Sequence, residues 1–436
     1  MEKITFCINT AVNERNHVEL LLRSLYKNLS RKDHNIIIYV ENDNQDTVGY
    51  LKSVGKEMFS NLKIIVNPLP VPLGYARNIN LMFEIAETDI VSYLQSDMVI
   101  GPNYDEEVIK FLTPDTIISA TRIEPPLHPP SPEKITHDFG LDPKSFNLDE
   151  FSTFAEKCKK NETTDFWFAP FTLYKKIWLD IGGHDTLFRR SREDSDLLYR
   201  LSIKGVKTKQ ARNAIVYHFT CTSSRGPEWW TEKTKQRTQL QQFADQIEML
   251  KFLRKWPSSK HTSIFNQETE FKYRISINFL GVNPKDINII QPYFLFHRIY
   301  IDNEELRNQL YESYNKFQKP ANLLLNITDE QWFNYKKYYR TWEFDDIFVS
   351  KPIGDDDVII NINLAGQLFN DILIQPCGYY FEEMNNIVHA NKSEGSGEFE
   401  LGELPANLII NKAENRIFDN LIVKNPPIDD ISFIYL

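Results

Sequence analysis

Apolar strand-like runs alternate with amphipathic helices along the first 120 residues of this chain. Three of the runs are KITFCIN at residues 3–9, NIIIYVEN at 35–42 and DIVSYLQ at 89–95. Between the first two, HVELLLRSLYKNL at 17–29 places its leucines at helical spacing. Strands that alternate with helices usually pair in parallel through right-handed crossovers. The expected fold class is therefore α/β, a mostly parallel sheet flanked by helices.

The segments that follow the predicted strands are polar or rich in glycine and proline. TAVNERN follows the first strand and ENDNQD the second; NPLPVPLG follows a third strand at 62–67, and QSDM follows the fourth. Further helices are expected at 47–59 and at about 75–87, between these segments. Because ligands of open α/β sheets bind beyond the carboxyl ends of the strands, the sequence predicts a ligand site at this edge.

Length, charge and cysteine usage limit the architecture and the partners. With 436 residues the chain exceeds one ordinary core, so two domains are expected. A net charge of -10 argues against general nucleic-acid binding. The four cysteines show neither disulfide nor metal-type spacing, and residues 3–9 look like a folded strand rather than a signal peptide. No apolar run reaches the roughly 18 residues of a membrane span. We therefore expect a cytoplasmic protein.

The pattern changes twice along the chain. Residues 122–166 are a proline-rich, irregular excursion, and excursions of this length are often functional. A long helix predicted over 228–256 closes a first domain at 1–256. From 262 to 436, short strand-like runs separated by turn residues predict a strand-rich second domain, with one helix at 302–317.

Asp97 interrupts the apolar stretch VSYLQSDMVIG. A carboxylate at the end of a central parallel strand costs free energy unless it is paired or coordinated. It can hold Mg²⁺ or Mn²⁺, which prefer oxygen ligands, or it can belong to a plain turn. This stretch alone leaves both interpretations open.

Two later segments carry further candidates. REDSDLLYRL places Glu193 and Asp194 at the start of a predicted helix, where acids either cap the helix or face a substrate. VYHF places His218 in an apolar run, as a core residue or as a ligand. Residue type alone does not separate these alternatives.

Taken in order, the motifs resemble those of the family 2 glycosyltransferases, which have the GT-A fold with a Rossmann-like nucleotide-binding half. They are TAVNER, YVENDNQD, LGYARN, YLQSDM, GGHDTLF with REDSDLLYRL, and VYHF. Each is weak alone, whereas their order and spacing are specific, and they cover about residues 1–256. The resemblance implies transfer of a sugar from a nucleotide-sugar, expected to be UDP-linked, to a hydroxyl on a glycan or other acceptor.

The resemblance also implies roles for individual residues. Asp97, as the last aspartate of the family's DxD triplet, and His218 would hold Mn²⁺ or Mg²⁺. Asp194 would be the catalytic base, with Glu193 and His184 on the acceptor side next to the excursion. The donor would be bordered by residues from the strand ends, namely Thr10, Ala11, Glu14, Glu41, Asp43, Arg77, Gln95 and Ser96.

This set agrees with what the chemistry requires, with two departures from the family pattern. A cation neutralises the leaving diphosphate, and a hydroxyl becomes a good nucleophile only when a carboxylate takes its proton. Gln95 stands where the triplet usually begins with aspartate, which predicts a metal site with one carboxylate fewer. His184 replaces the phenylalanine of the more common GGFD, either to touch a substrate hydroxyl or to pack.

Several alternatives stay open at this point. Inversion in a single displacement is expected, with a retaining transferase of the same fold, or a non-catalytic protein that binds nucleotide-sugar or glycan, as alternatives. Arg225 and the pair Trp229–Trp230 either cover the donor phosphates or, for the tryptophans, pack in a core. The second domain is expected to bind glycan or acceptor, or to mediate self-association into a homo-oligomer.

Overall fold

The chain divides into two compact units in this computed structural model. One comprises Met1–Gln242 together with Val423–Leu436, and the other Phe243–Ile422. The structure describes residues 2–10, 14–41, 45–69, 72–189, 191–220, 230–231, 236–237, 248–249, 251–252, 254–256, 274–282, 297–317, 328–342, 344–356, 358–363, 397–400, 406–410, 421–428 and 431–436. Among these residues, no helix has the length and apolar character that crossing a membrane requires.

The first part of the first unit alternates strand and helix as predicted. Its strands are β1 (Ile4–Asn9), β2 (Asn35–Val40), β3 (Leu62–Val66) and β4 (Ile90–Gln95). Between them lie α1 (Arg15–Asn28), α2 (Gln45–Tyr50), a π-helical turn (Leu51–Gly55), α3 (Lys56–Met58) and α4 (Tyr75–Ile85). β1 pairs in parallel with both β2 and β4, and β2 with β3. The predicted α/β class is confirmed.

The second part of this unit adds both parallel and antiparallel strands to the sheet. In chain order the elements are β5 (Met98–Ile100), α5 (Tyr104–Ile109), β6 (Thr116–Glu124), β7 (Lys134–Thr136), α6 (Leu148–Cys158), β8 (Thr163–Thr164), β9 (Phe171–Tyr174), α7 (Lys175–Ile181), α8 (Glu193–Ile203) and β10 (Lys207–His218). β10 runs parallel to β6 and antiparallel to β5. This pairing brings the end of β10 beside the turn between β4 and β5.

The core forms where the helical faces meet this sheet. α1 buries Val18, Leu21, Leu22 and Leu25, which share one face at helical spacing, against buried sheet residues such as Phe6. A second cluster lies between the excursion and β10. It is aromatic and consists largely of Phe139, Phe146, Phe151, Phe154, Tyr217 and Phe219. The excursion is therefore packed against the sheet by its own rings.

Two boundaries differ from the sequence predictions. The excursion does not begin at residue 122, because β6 continues through Glu124. The helix predicted over 228–256 is wrong in its first part, where β11 (Trp230–Thr231) and β12 (Gln236–Arg237) form an antiparallel pair. The sequence there carries β-branched threonines, which disfavour helix, and its apolar stripe starts only at Leu240. Helical residues of this stretch lie between 248 and 255 in the described part.

The described elements of the second unit are β13 (Ile275–Leu280), β14 (Ile299–Ile301), α9 (Glu304–Phe317), α10 (Asp329–Tyr335), a 3₁₀ turn (Lys336–Tyr338), α11 (Phe344–Ile347), β15 (Phe348–Val349), β16 (Val358–Asn363), β17 (Gly397–Glu400) and β18 (Ala406–Ile410). Its strands form a six-stranded sheet in the order β15-β14-β13-β16-β18-β17. The strands agree with the predicted strand-rich domain. However, β13 pairs in parallel with β14 and β16, so the alternating pattern continues there.

Residues 423–436, which the sequence pattern placed in the second domain, belong to the first unit and are called the C-terminal segment below. Its last strand, β19 (Ile434–Tyr435), pairs antiparallel with β3 at the edge of the large sheet. The Leu436 amide donates to the Ile64 carbonyl (2.9 Å), and the Ile64 amide donates to the Leu436 carbonyl (3.2 Å). The domain boundary near residues 256–262 stays a prediction.

Candidate active site

Asp97 and His218 are brought together by strand pairing. β4 ends at Gln95, the chain turns through Ser96 and Asp97, and β5 then pairs with β10 so that His218 lies opposite Met98. The Phe219 amide donates to the Asp97 carbonyl at 3.0 Å, which fixes the turn to the end of β10. His218 Nε2 lies 3.7 Å from Asp97 Oδ2, and both side chains keep 12% exposure. The two predicted metal ligands therefore face one another at an accessible edge.

Glu124 orients this histidine from the end of the neighbouring strand β6. Its Oε1 lies 2.9 Å from His218 Nδ1, and it accepts hydrogen bonds from Arg122 Nη1 and Lys134 Nζ, both at 3.1 Å. Burial opposes the charge, but the His218 contact and the Arg122 cation hold the pKa of Glu124 well below its usual range. Because an ionised carboxylate only accepts, a neutral His218 that donates from Nδ1 to Glu124 would offer the lone pair of Nε2 on the side of Asp97.

Sequence reasoning missed Glu124 and Arg122. The two residues stand at i and i+2 at the end of a strand that is otherwise largely buried, so they lie on the same face of β6. The available signal was two charged residues on one face of a strand that has no other charged residue, at the start of the predicted excursion. Arg122 also packs its guanidinium over the Phe168 ring at 3.8 Å, which fixes its position.

Asp194 lies in the first turn of α8, separate from the Asp97–His218 pair. Tyr75 Oη donates to its Oδ1 at 3.4 Å, and His184 Nε2 lies 3.9 Å from the same atom. Its side chain keeps 21% exposure. Burial raises the pKa of Asp194 to about 6, while the Arg122 cation acts in the opposite direction. The result is a carboxyl group that can exchange a proton near neutral pH.

His184 lies behind Asp194 as a packed, neutral residue. It is fully buried, with Tyr75 at 5.3 Å and Trp178 at 4.9 Å between ring centroids. Burial, reinforced by the Arg200 cation, lowers the pKa of His184 to about 3. Of the two interpretations left open by the sequence, this geometry supports packing.

The loop that carries His184 is held from inside the unit. Arg200 is fully buried and donates to the carbonyls of Ile181 (2.9 Å) and Gly183 (2.6 Å), while its Nε donates to Asp196 Oδ2 at 2.8 Å. Asn80 bonds both the amide and the carbonyl of His184, at 2.9 and 2.8 Å. The GGHD loop and the first turns of α8, which carry Asp194, are therefore connected to each other through Arg200.

The donor-side residues near the first strand are largely bonded to one another. Thr10 is buried, and its amide donates to the Tyr39 carbonyl at 3.0 Å. Ser96 Oγ donates to the buried Glu14 carboxylate. By contrast, Gln95 Oε1 is buried and has no hydrogen-bond partner within the part of the chain that the structure describes. An acceptor of this kind suits a ligand hydroxyl or a metal-bound water.

The Glu41 carboxylate is buried and is bonded by donors of the protein itself. Its two carboxylate oxygens accept from Asn78 Nδ2 (2.6 Å), the Gly74 amide (2.9 Å), Asn67 Nδ2 (3.0 Å) and the Leu73 amide (3.3 Å). Burial raises the pKa of Glu41, and these four donors act against that rise. These bonds connect Glu41 to the loop that begins α4, and its nucleotide contact stays a prediction.

Arg77 bonds to the C-terminal segment. Its Nη2 donates to the carbonyls of Pro426 and, at 3.3 Å, Pro427. The donor contact of Arg77 stays a prediction. Glu193 begins α8 next to Asp194, and its acceptor-side role stays a prediction. Four further predicted residues lie outside the described part of the chain, namely Ala11, Asp43, Arg225 and Trp229; of Trp230 only the strand is described.

The residues present fit a divalent cation. Within the described residues, no group of three or more His, Cys, Asp or Glu side chains is placed to hold a metal. Asp97 and His218 would therefore provide two ligands, and a diphosphate and water would supply the rest. A carboxylate oxygen paired with an imidazole nitrogen favours Mn²⁺ over Mg²⁺, which prefers oxygen ligands alone.

Comparison with known proteins gives one family match. The model of the family described as "Glycosyl transferase family 2" matches residues 7–180. None of the curated proteins compared is similar to this chain in sequence.

Solved structures similar to this chain share little sequence with it. GalNAc-T7 with UDP, GalNAc and Mn²⁺ has a TM-score of 0.41 and 14% identity over 57% of this chain; the chain spans only 51% of that protein. The mannosyltransferase PcManGT from Pyrobaculum calidifontis, with GDP-Man and Mn²⁺, has a TM-score of 0.40 and 12% identity, covering 74% of this chain and 78% of that one. S. aureus TarS 1-349 with UDP-GlcNAc has a TM-score of 0.36 and 14% identity, covering 77% and 80%.

Proposed function

We propose that this protein, which contains a glycosyl transferase family 2 domain at residues 7–180, transfers a sugar from a nucleotide-sugar to a hydroxyl. In this proposal a metal ion assists the transfer and Asp194 is the base. One observation carries this proposal. The site holds two separate carboxylates, Asp97 facing His218 at 3.7 Å and Asp194 facing Tyr75 at 3.4 Å. One can serve the diphosphate end of the donor and the other the acceptor.

The binding end is built from Asp97, His218 and Glu124. A bound Mn²⁺ would neutralise the charge that develops on the leaving diphosphate. The contact of Glu124 with Nδ1 holds the His218 ring so that its other nitrogen, Nε2, lies on the side of Asp97, where it would be available to a metal ion. Gln95 contributes a buried amide oxygen without adding negative charge to the site.

The chemical step uses Asp194. Its carboxylate takes the proton of the acceptor hydroxyl as the acceptor oxygen bonds to the anomeric carbon, and the bond from that carbon to the diphosphate oxygen breaks. A raised pKa makes Asp194 a stronger base than a solvent-exposed aspartate while leaving it ionised above pH 6. A single displacement of this kind inverts the anomeric centre.

The test is release of nucleotide from UDP- and GDP-linked sugars with Mn²⁺ and a panel of hydroxyl acceptors. We expect wild type to turn over at least one donor, and we expect Asp97→Ala and Asp194→Asn each to lose about 100- to 10,000-fold in kcat. Asp89→Ala is the matched control, since this exposed aspartate lies just before β4, at the opposite end from Asp97. Absence of turnover in wild type, or full activity in both variants, contradicts the proposal.

Two further measurements refine the proposal. The anomeric configuration of the product, measured by NMR, distinguishes inversion from the retaining alternative. Gln95→Asp should tighten Mn²⁺ binding in calorimetry if Gln95 borders the metal. Unchanged or weaker affinity places Gln95 outside the metal site. Tight donor binding without product under any acceptor would support a binding protein instead.

A further inference from the structure

Asn425, in the C-terminal segment, makes four hydrogen bonds to the loop that carries His184. Its Nδ2 donates to the carbonyls of Gly182 (3.0 Å) and His184 (2.9 Å), and its Oδ1 accepts from the amide (2.9 Å) and the hydroxyl (2.8 Å) of Thr186. An asparagine side chain has two donor hydrogens and two acceptor lone pairs. Every hydrogen-bonding position of this side chain is thus used on one short loop.

The same loop is also held by two residues from the first half of the chain, Arg200 and Asn80. Arg200 binds the carbonyls of Ile181 and Gly183, and Asn80 binds the backbone of His184. The backbone carbonyls from 181 to 184 therefore all have donors. Among these bonds of the described residues, the one to the Gly182 carbonyl comes from Asn425 alone. Asn425 also accepts the two bonds from Thr186.

The segment around Asn425 fits closely against the loop. The Val423 amide donates to the Ile181 carbonyl at 3.1 Å, and a Cβ at Gly182, which has a φ of +77°, would collide with the Val423 carbonyl. On the other side, Pro426 accepts from Arg77. The backbone is thus fixed before and after Asn425, which lets a single side chain hold the loop in register.

We propose that Asn425 is a positioning residue for the transfer reaction. It holds residues 182–186 so that His184, together with Tyr75, packs beside the Asp194 carboxylate and fixes its position. This rests on the proposed function of Asp194 as the base. His184 Nε2 and Tyr75 Oη both lie near Asp194 Oδ1, at 3.9 and 3.4 Å, so a shift of the loop moves the surroundings of that oxygen. The C-terminal segment is then part of the working site.

The chemistry of the contact makes the choice of asparagine specific. Asn425→Asp keeps the shape and the acceptor for Thr186, but it removes both donors and points a carboxylate oxygen at the carbonyls of Gly182 and His184. Asn425→Ala removes all four bonds and leaves these groups to water or to new partners. The isosteric aspartate should therefore restore little or nothing, although it is the closest substitute in size.

The experiment measures kcat and donor KM for the nucleotide-sugar that wild type turns over, with kcat expressed per donor-binding site counted by calorimetry. We expect Asn425→Ala and Asn425→Asp to lower kcat by about 10- to 100-fold, the effect of a small displacement of a catalytic group. Donor KM should stay within about twofold. Lys424→Ala, the exposed neighbour, should match wild type.

A second control separates positioning from loss of stability. Phe433 packs edge-on against Tyr39, with 6.2 Å between the ring centroids, and makes no described contact with the loop. Phe433→Ala removes this packing, so it should lower the melting temperature but keep kcat per binding site. If Phe433→Ala lowers kcat as much as Asn425→Ala, or if the Asn425 variants keep the wild-type kcat, this inference is overturned while the proposed function stands. If wild type transfers from no donor, the proposed function fails and this inference fails with it.

Discussion

Replacing Arg200 by methionine should destabilise the first unit strongly. Arg200 and Asp196 lie one helical turn apart in α8, both side chains are fully buried, and Nε lies 2.8 Å from Oδ2. Methionine has a similar length and keeps much of the packing, but it removes the cation. The buried Asp196 carboxylate then loses its guanidinium, and the Gly183 carbonyl loses the donor at 2.6 Å.

The magnitude follows from these contacts. Removing one partner of a buried ion pair costs about 3–5 kcal/mol, because the remaining charge stays desolvated. The Ile181 carbonyl keeps the Val423 amide as a donor, so its loss is small. We expect a total of about 4 kcal/mol. The double variant Asp196→Asn/Arg200→Met should recover about 2 kcal/mol, since it also removes the buried negative charge.

Hydrogen exchange in increasing urea, read on peptides spanning residues 175–203, is the suitable assay because a chain of two units need not unfold in one step. Lys204→Met, at the exposed end of the same helix, is the control and should stay within about 0.5 kcal/mol of wild type. The reasoning is refuted if Arg200→Met costs less than about 1 kcal/mol, or if the double variant is as unstable as the single one.

Three further predictions concern ionisation and metal binding. The transfer rate should fall as pH drops through about 6, because Asp194 with its raised pKa becomes protonated and cannot act as a base; a pH profile of kcat without this limb contradicts the assignment. Glu124→Gln should weaken Mn²⁺ binding by about tenfold in calorimetry, since the His218 proton is then held less firmly; unchanged affinity argues against the orienting role. The Asp105 carboxylate is buried, which opposes ionisation, but hydrogen bonds from His34 and Ser30 lower its pKa to about 2. Because the pKa of Asp105 is lower in the folded protein than in the unfolded chain, the ionised group stabilises the fold at neutral pH by about 2–3 kcal/mol. This contribution is lost as the pH falls from about 4 towards 2. Urea unfolding of Asp105→Asn at pH 7 should show a loss of that order, and a loss below 1 kcal/mol would contradict it.

The alternating half of the fold was predictable because its information is local. The stripe of α1 and the strand at 35–40 need only a few neighbouring residues to be recognised. Once strands and helices are seen to alternate, the fold class follows as well, because right-handed crossovers between parallel strands allow only a few sheet topologies. The motif order singled out both Asp97 and His218, and the strand pairing places the two side chains beside each other, while their role as ligands stays a prediction.

What sequence reasoning missed depends on distant partners. Glu124 meets His218 only because β6 and β10 are neighbours in the sheet, a pairing that no local pattern indicates. Arg77 was expected at the donor, but its partners Pro426 and Pro427 come from the other end of the chain. Glu41 had the right residue type, yet whether its oxygens face a ligand or protein donors is decided by the loop at 73–78.

The return of the C-terminal segment to the first unit has a consequence for how this protein is made. Ribosomes deliver residues 243–422 before residues 423–436, so the unit that begins first is completed last. Until then β3 lacks β19, and its hydrogen-bonding groups are open to pairing with another chain. The loop around His184 likewise lacks its hydrogen bonds to Asn425 until then. A nascent chain stalled before residue 423 should therefore contain most of the first unit but expose the unpaired edge of β3. The loop beside Asp194, the proposed base, should not yet be held in place in such a chain.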